Sequence, residues 1–260
     1  MPTPNIHQEL PDIIVVGGGV IGSACAYELA RAGAHVALIE RGELAAEASG
    51  ASAGLVGPRE RPLDPPLAAL HDASYQRFGP LLARIEEETG QSCGVIRTAS
   101  LRVAQTETDA ALLRERFAWQ QRQGIHSTWH NGDEARTMEP LLAPSVIAAI
   151  RLDGEYSVSA PLLTRHLAAA AAARGARLRP GTTVTGLRRN GTRVTAVELT
   201  DGTLAAGAIV LAAGAWTRFC GAWLDASLPI IPVRGQVVRP GASPAPTPPR
   251  AALRLRLRRQ

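Results

Sequence analysis

Three glycines and one acid carry the first chemical signal in the chain. Gly17-x-Gly19-x-x-Gly22 lies between an apolar run and a stretch of helical periodicity, and Glu40 follows 18 residues after the third glycine. At this spacing the first glycine permits a tight turn, the second lets backbone approach a pyrophosphate, and the third lets helix and strand pack closely. The helix opening there offers unpaired N–H groups and the positive end of its dipole to phosphate oxygens. Glu40 is placed to accept hydrogen bonds from a ribose hydroxyl, and an acid at that point argues against a ribose phosphate and hence against NADP. A glycine triplet alone is as readily a structural turn. In register with strand, helix and acid it predicts dinucleotide binding, without separating FAD from NAD.

The elements that must hold these residues follow from periodicity. Residues 12–16 form a short apolar run bounded by glycines, as expected of a strand buried on both faces of a parallel sheet. Ile21, Cys25 and Leu29 recur at four-residue spacing and predict a helix, which Gly33 would end. Residues 36–39 supply the second strand of a βαβ unit. The segment 43–58 is rich in Ala, Ser and Gly and reads as a helix start followed by a loop that something approaches closely. Helices are expected at 67–89, 107–123 and 162–173, with one or two strands at 95–104. A meander follows at 182–187, 194–199 and 203–206, its turns marked by Asn190-Gly191 and Asp201-Gly202, and a further buried-type strand spans 208–212.

The expected fold class is therefore α/β: a Rossmann-like dinucleotide domain with a β-meander, interleaved with a partial α+β domain. We assign residues 1–90 and 150–225 to the first domain and 91–149 and 226–240 to the second. Residues 241–260, rich in Pro and Arg, are expected to be a disordered tail.

Charge excludes one class of partner. The chain of 260 residues has a formal net charge of +5, but seven of its 28 arginines lie from Ala226 onward with no acid among them, and the preceding residues carry 21 basic against 23 acidic side chains. Lysine is absent altogether, which points to coding bias rather than a selected basic surface, so no nucleic acid is expected as partner. No apolar run approaches the ~20 residues of a membrane span and no charged-then-apolar leader opens the chain, so no transmembrane segment and a cytoplasmic location are expected. Cys25, Cys93 and Cys220 are far apart and odd in number, giving neither a disulfide framework nor a zinc site. His71, His126, His130 and His166 show no metal or triad spacing.

Residues 12–58, 139–187 and 204–239 resemble the D-amino-acid oxidase and glycine oxidase family of FAD-dependent amine oxidoreductases. The resemblance is carried by IIVVGGGVIGSACAYELARAGAHVALIER, EASGASAGLVGP, EPLLAP, VSAPLLTRHLAAAA, IVLAAGAW and LPIIPVRGQVV. The small-residue loop and the late LAAGAW strand are not expected of a nicotinamide dehydrogenase, so the implied cofactor is FAD. The resemblance places Val20 and Ile21 against the pyrophosphate and Glu40 and Arg41 at the adenosine end. It puts Ala48, Ser49, Ala53, Gly54 and Leu55 on the flavin side. Val184 is implied to touch adenine through its backbone, and Ala213, Gly214 and Trp216 to close the cleft, although a tryptophan after a buried strand is also a common core residue.

The implied reaction is oxidation of the C–N bond of a small amine or amino acid, such as glycine, sarcosine or a D-amino acid, to an imine by hydride transfer to flavin. Homo-oligomerisation is implied by the resemblance as well. In the family a further part follows PVRGQ, bringing an arginine that clamps a substrate carboxylate. Here the text after Arg239 reads like an out-of-frame sequence, so a truncated, flavin-binding fragment without turnover stands as the alternative, and an NAD-binding or protein-binding Rossmann module as the third. Arg97, Arg102 and Arg234 are candidates for a substrate pocket or for ordinary surface solvation. No catalytic residue is named and no metal is expected.

Overall fold

A computed structural model describes residues 10–236. The apolar run gives strand β1 (Ile13–Val16), the glycine turn opens helix α1 (Val20–Arg31), and strand β2 (Val36–Ile39) follows. Gly33, at φ +91°, takes the left-handed position that ends α1. The small-residue segment yields a single helical turn α2 (Ala48–Ala51) and a two-residue strand β3 (Leu55–Val56). Helix α3 (Pro65–Thr89), strand β4 (Ile96–Ala104) and helix α4 (Glu107–Arg122) come next. Strand β5 (Ser127–Asn131) runs directly into α5 (Gly132–Met138), where Asn131 and Glu134 form a reciprocal capping box. Strand β6 (Ala148–Ser157) and helix α6 (Ala160–Ala173) precede β7 (Arg177–Arg179), the meander β8 (Val184–Asn190), β9 (Arg193–Leu199) and β10 (Gly202–Ala205), and strand β11 (Ala208–Leu211). A 3₁₀ turn at Gly214–Trp216, the short α7 (Thr217–Cys220) and a second 3₁₀ turn at Gly221–Leu224 close the regular structure.

The described residues fall into two units: the first contains 10–53, 82–93 and 159–236, the second 54–81 and 94–158. In the first unit β11, β1, β2 and β7 form a parallel sheet in that order, with Val15 opposite both Val210 and Leu38. One face carries Ile14, Val16, Ala37 and Ile39, which pack against Val197 and Leu199 of the antiparallel meander. Burying each such aliphatic side chain contributes about 1.5–3 kcal/mol. Alternation sends Val15 and Leu38 to the opposite face, where α1 packs on the sheet and α6 packs on α1. The arrangement is the expected Rossmann-like fold with a meander layer.

The stripe that predicted α1 is not the one it buries. Ile21 is 67% exposed, whereas Gly22, Ser23, Ala26, Tyr27 and Ala30 are buried. The reason lies in the third glycine: a Cβ on Gly22 would stand 1.8 Å from the Gly17 carbonyl oxygen, so the helix presses its smallest side chains onto the sheet and turns Ile21 outward. Tyr27 anchors this face. Its hydroxyl donates to Glu88 at 2.9 Å and accepts from Arg84 Nε at 2.8 Å, while the guanidinium groups of Arg84 and Arg174 lie 5.4 and 5.2 Å from its ring centroid. Burial pushes the Tyr27 phenol up from its usual value, with the Glu88 contact adding to the effect.

In the second unit β6 is the central antiparallel strand, with β4 along one edge and β5 and β3 along the other. Helix α4 brings Ala110, Leu113 and Phe117 onto Ala148, Ile150 and Trp129, and α5 brings Ala135 onto Val146 and Ala149. These unit bounds differ from those read in the sequence: 54–81 and 150–158 group with the second unit because β3 pairs with β6, and 226–236 group with the first. The tail assigned to 241–260 lies outside the described residues.

All three cysteines are free. Cys93 is fully buried with its sulfur 3.5 Å from His166 Nδ1, and burial pushes its thiol up to about 11, which makes it a structural rather than a reactive thiol. Among the described residues no group of His, Cys, Asp and Glu could hold a metal, and no helix is long and apolar enough to cross a membrane.

Candidate functional site

The parallel strands of the first unit all end on one side, and there the chain leaves a cavity of about 820 Å³. This lies near the upper end of the range of about 300–1,000 Å³ typical of ligand sites. Its floor is the glycine turn. Gly17, at φ +116°, has no room for a side chain, since a Cβ would stand 2.4 Å from the Ala212 carbonyl oxygen. Gly17 and Gly22 thus serve close packing, and Gly22 lies beneath the floor rather than on the wall. Gly19 is different: a Cβ there would meet Ser49 Oγ alone, at 3.2 Å, so its lack of a side chain keeps cavity space open. Gly18 adds a glycine that the fingerprint did not single out. A Cβ on it would stand 2.6 Å from Leu44 and 2.8 Å from Glu40.

The start of α1 faces this space. Val20 N–H donates to Ser49 Oγ at 2.9 Å, which ties the small-residue segment to the helix end. The N–H groups of Gly19 and Ile21 find no acceptor among the described residues. Two unsatisfied donors and the helix dipole make an anion site of the kind that holds a pyrophosphate.

Glu40, at the end of β2, is fixed through both oxygens: Gly18 N–H donates to Oε2 at 2.6 Å and Gly42 N–H to Oε1 at 2.9 Å. A carboxylate so held retains further acceptor capacity for hydroxyls on the cavity side. Next to it the Arg41 guanidinium stacks 4.1 Å from the centroid of the Trp216 ring and donates to Glu47 Oε1 at 2.6 Å. Trp216 is 38% exposed and stands on the cavity wall rather than in the core.

Of the other residues proposed from sequence, Val20, Ile21, Ala48 and Ser49 border the cavity, as do Val184, Ala213 and Gly214. Ala53, Gly54 and Leu55 do not. By Gly54 the chain has turned to pair with β6: Val158 N–H donates to the Gly54 carbonyl at 2.9 Å, and Leu55 opens β3. Sequence reasoning missed Ser52, Thr182 and Thr183 on the wall, and also Phe219, Trp223 and Ile230. The three- and four-residue spacing of Trp216, Phe219 and Trp223 is a helical signal that would have found the aromatic side of the cavity.

The arginines considered for substrate are placed elsewhere. In the second unit Arg102 pairs with Glu60, and Arg97 lies 5.8 Å from the Tyr156 ring centroid; Arg234 of the first unit is exposed. Near Arg102, Glu155 is buried and accepts from Ser100 Oγ at 2.8 Å. Burial pushes its carboxyl up from the usual 4.5, against the opposing effect of the Ser100 hydrogen bond.

The cavity residues fit FAD. The glycine floor leaves room for close approach, the N–H groups of Gly19 and Ile21 are free to donate to an anion, and the Glu40 carboxylate keeps acceptor capacity for a hydroxyl. Comparison with known proteins points the same way. The family described as FAD dependent oxidoreductase matches residues 12–257. The chain is 37% identical over 229 residues to glycine oxidase of Geobacillus kaustophilus, which covers 87% of this chain and 60% of that protein. It is 33% identical over 237 residues to human mitochondrial dimethylglycine dehydrogenase, covering 89% of this chain and 26% of that one. The crystal structure of the Geobacillus kaustophilus glycine oxidase superposes with a TM-score of 0.79 at 36% identity, over 84% of this chain and 59% of the other. The chain thus spans about 60% of the length of the glycine oxidases it matches.

Proposed function

Because the chain belongs to the FAD dependent oxidoreductase family, we propose that it binds FAD in the cavity of its first unit and serves the oxidation of a small amine or amino acid. The observation that carries the cofactor assignment is the start of α1: two N–H groups without a protein acceptor, above a turn that only glycine fits. When bound, FAD supplies the hydride acceptor for a carbon that bears an amine. The residues of this chain bind and orient it. Gly19, Val20 and Ile21 take the pyrophosphate, Glu40 and Arg41 the adenosine end, and Ala48 and Ser49 the side toward the flavin.

The similarity to glycine oxidases and to dimethylglycine dehydrogenase supports a substrate of the glycine type, its C–N bond oxidised to an imine. A cytoplasmic location is part of the same proposal and is supported by the free state of all three cysteines. Homo-oligomerisation comes from the family resemblance. A second reading, FAD binding without turnover, is favoured by the ion pair of Arg102 with Glu60, which leaves that guanidinium engaged within the protein. Anaerobic addition of glycine, sarcosine and D-alanine to the FAD-loaded chain separates the two. Bleaching of the flavin band by one of them supports the oxidase; a band unchanged by all three favours the second reading.

A further inference from the structure

Helix α4 packs on the sheet of the second unit through Ala110, Leu113 and Phe117, spaced three and four residues apart. The next position of that stripe is Gln120, which is fully buried. A glutamine where an apolar side chain is expected must find partners for its amide. Its Nε2 donates to the Glu60 carbonyl oxygen at 3.1 Å, but its Oε1 has no partner among the described residues. One turn earlier on the same side of α4 stands Arg116, half-buried.

Strand β4 brings a second guanidinium to this place. Arg102 lies two residues before Ala104, which packs with Ala110 and Leu113, so it shares the face that α4 covers. Its Nη2 donates to both carboxylate oxygens of Glu60, while its Nε is buried with no acceptor among the described residues. That N–H has lost water and gained no partner.

The charges here do not balance. Arg116 pairs with no acid among the described residues, and the charges that act on it are those of Arg102, Glu60 and Arg61. Burial pushes its guanidinium down from the usual value and repulsion by Arg102 adds to the effect, with Glu60 opposing. Three guanidinium groups thus share one carboxylate, which Arg102 already holds. Arg59, in the same loop as Arg61, is by contrast paired with Asp72 at 2.7 Å. Glu155, the other acid beside Arg102, accepts from Ser100 and is pushed by burial toward its neutral form; it is not among the charges acting on Arg116.

We propose that Arg102, Arg116 and Gln120 hold an oxyanion of the phosphate type that carries its own hydroxyl, with the exposed Arg61 at the rim. The anion's oxygens accept from Arg102 Nε and from the Arg116 guanidinium, as charge-assisted hydrogen bonds. Its hydroxyl donates to Gln120 Oε1, which a fully deprotonated anion would leave unpaired. Bound there, the anion ties α4 and β4 to the loop at 57–61. None of these residues lines the cofactor cavity, and all of them belong to the second unit.

The test is titration of the full chain with inorganic phosphate at pH 7 and constant ionic strength, followed by calorimetry and by amide exchange. Exchange at 57–61 and 116–122 should slow, a signal that phosphate bound at the start of α1 does not give. Arg116→Gln should weaken binding about tenfold without lowering the melting temperature in phosphate-free buffer, because it removes an unpaired, half-buried charge. Sulfate needs no variant: it has no proton to donate at this pH and should bind about tenfold more weakly than phosphate. Methyl phosphate distinguishes the two sources of the anion, since the tighter binder of the pair identifies the ligand as free or as esterified phosphate. The proposal is overturned if chloride at the same ionic strength slows those amides as much, if Arg116→Gln binds phosphate as tightly as wild type, or if sulfate binds as tightly as phosphate.

Discussion

The Arg41 guanidinium lies 4.1 Å from the centroid of the Trp216 ring and also pairs with Glu47 at 2.6 Å. The stack joins the second residue after β2 to the turn after β11, and so links the ends of two strands of the parallel sheet beside the cavity. A partly exposed cation–π contact is worth about 1 kcal/mol.

If the stack closes the adenosine end, Trp216→Ala should weaken binding of both FAD and ADP about fivefold, the equivalent of about 1 kcal/mol. FMN, which lacks the adenosine, should bind either form equally. Calorimetric titration of the three ligands checks this. A loss of FMN affinity as large as that of ADP would place the stack at the flavin end instead.

The glycine floor makes a stability prediction. Gly22→Ala forces a Cβ to within 1.8 Å of the Gly17 carbonyl oxygen and should destabilise the chain by about 3 kcal/mol. Gly42→Ala is the control, because its Cβ would meet only Glu40 Oε1 at 3.9 Å, and it should change stability by less than about 0.5 kcal/mol. Urea unfolding of both variants reads the difference directly. Equal stabilities would mean that α1 can back away from the turn.

Ser49 should matter more without cofactor than with it. In the ligand-free chain its hydroxyl accepts from Val20 N–H at 2.9 Å, a capping bond whose loss in Ser49→Ala should cost about 1 kcal/mol. With FAD bound, phosphate oxygens offer the helix end another acceptor, so the gap in melting temperature between wild type and variant should narrow at saturating FAD. A gap that widens would show that Ser49 itself contributes cofactor affinity.

Glu155 sets a pH dependence in the second unit. Burial raises its carboxyl in the folded state above the usual 4.5, so the native chain holds that proton over a pH range where the unfolded chain has released it. The contribution to stability is therefore fully present below about 4.5 and is lost as pH rises through the folded value. Glu155→Gln keeps an oxygen for the Ser100 hydroxyl and removes the buried charge. It should be more stable than wild type in urea at pH 8, with the advantage shrinking toward pH 4.5. A constant difference across that range would show that Glu155 is not the group responsible.

What could be read from the sequence depended on how local its cause was. The glycine spacing and Glu40 were legible because each answers to a backbone requirement within one βαβ unit. The same pattern misled about the buried face of α1, because periodicity in Ile21, Cys25 and Leu29 says that a helix forms but not that the close contact at Gly22 decides which side is pressed to the sheet. Strand β6 went unread. Its N-terminal half is buried without alternation, Gly154 takes a positive φ within it, and its partners β3, β4 and β5 come from distant parts of the chain. The same pairing is not legible in the sequence at Leu55 and Val56, whose partners Ser157 and Tyr156 lie about a hundred residues away along the chain. Phe219 and Trp223 reach the wall through two short helical turns, whose one trace in the sequence is the three- and four-residue spacing from Trp216.

The most direct test of the central claim is titration of the purified, ligand-free chain with FAD, followed by visible absorption and by competition with ADP and NAD. The account predicts one FAD per chain, displaced by ADP and indifferent to NAD. Binding of NAD with no binding of FAD would contradict it, as would a chain that binds neither.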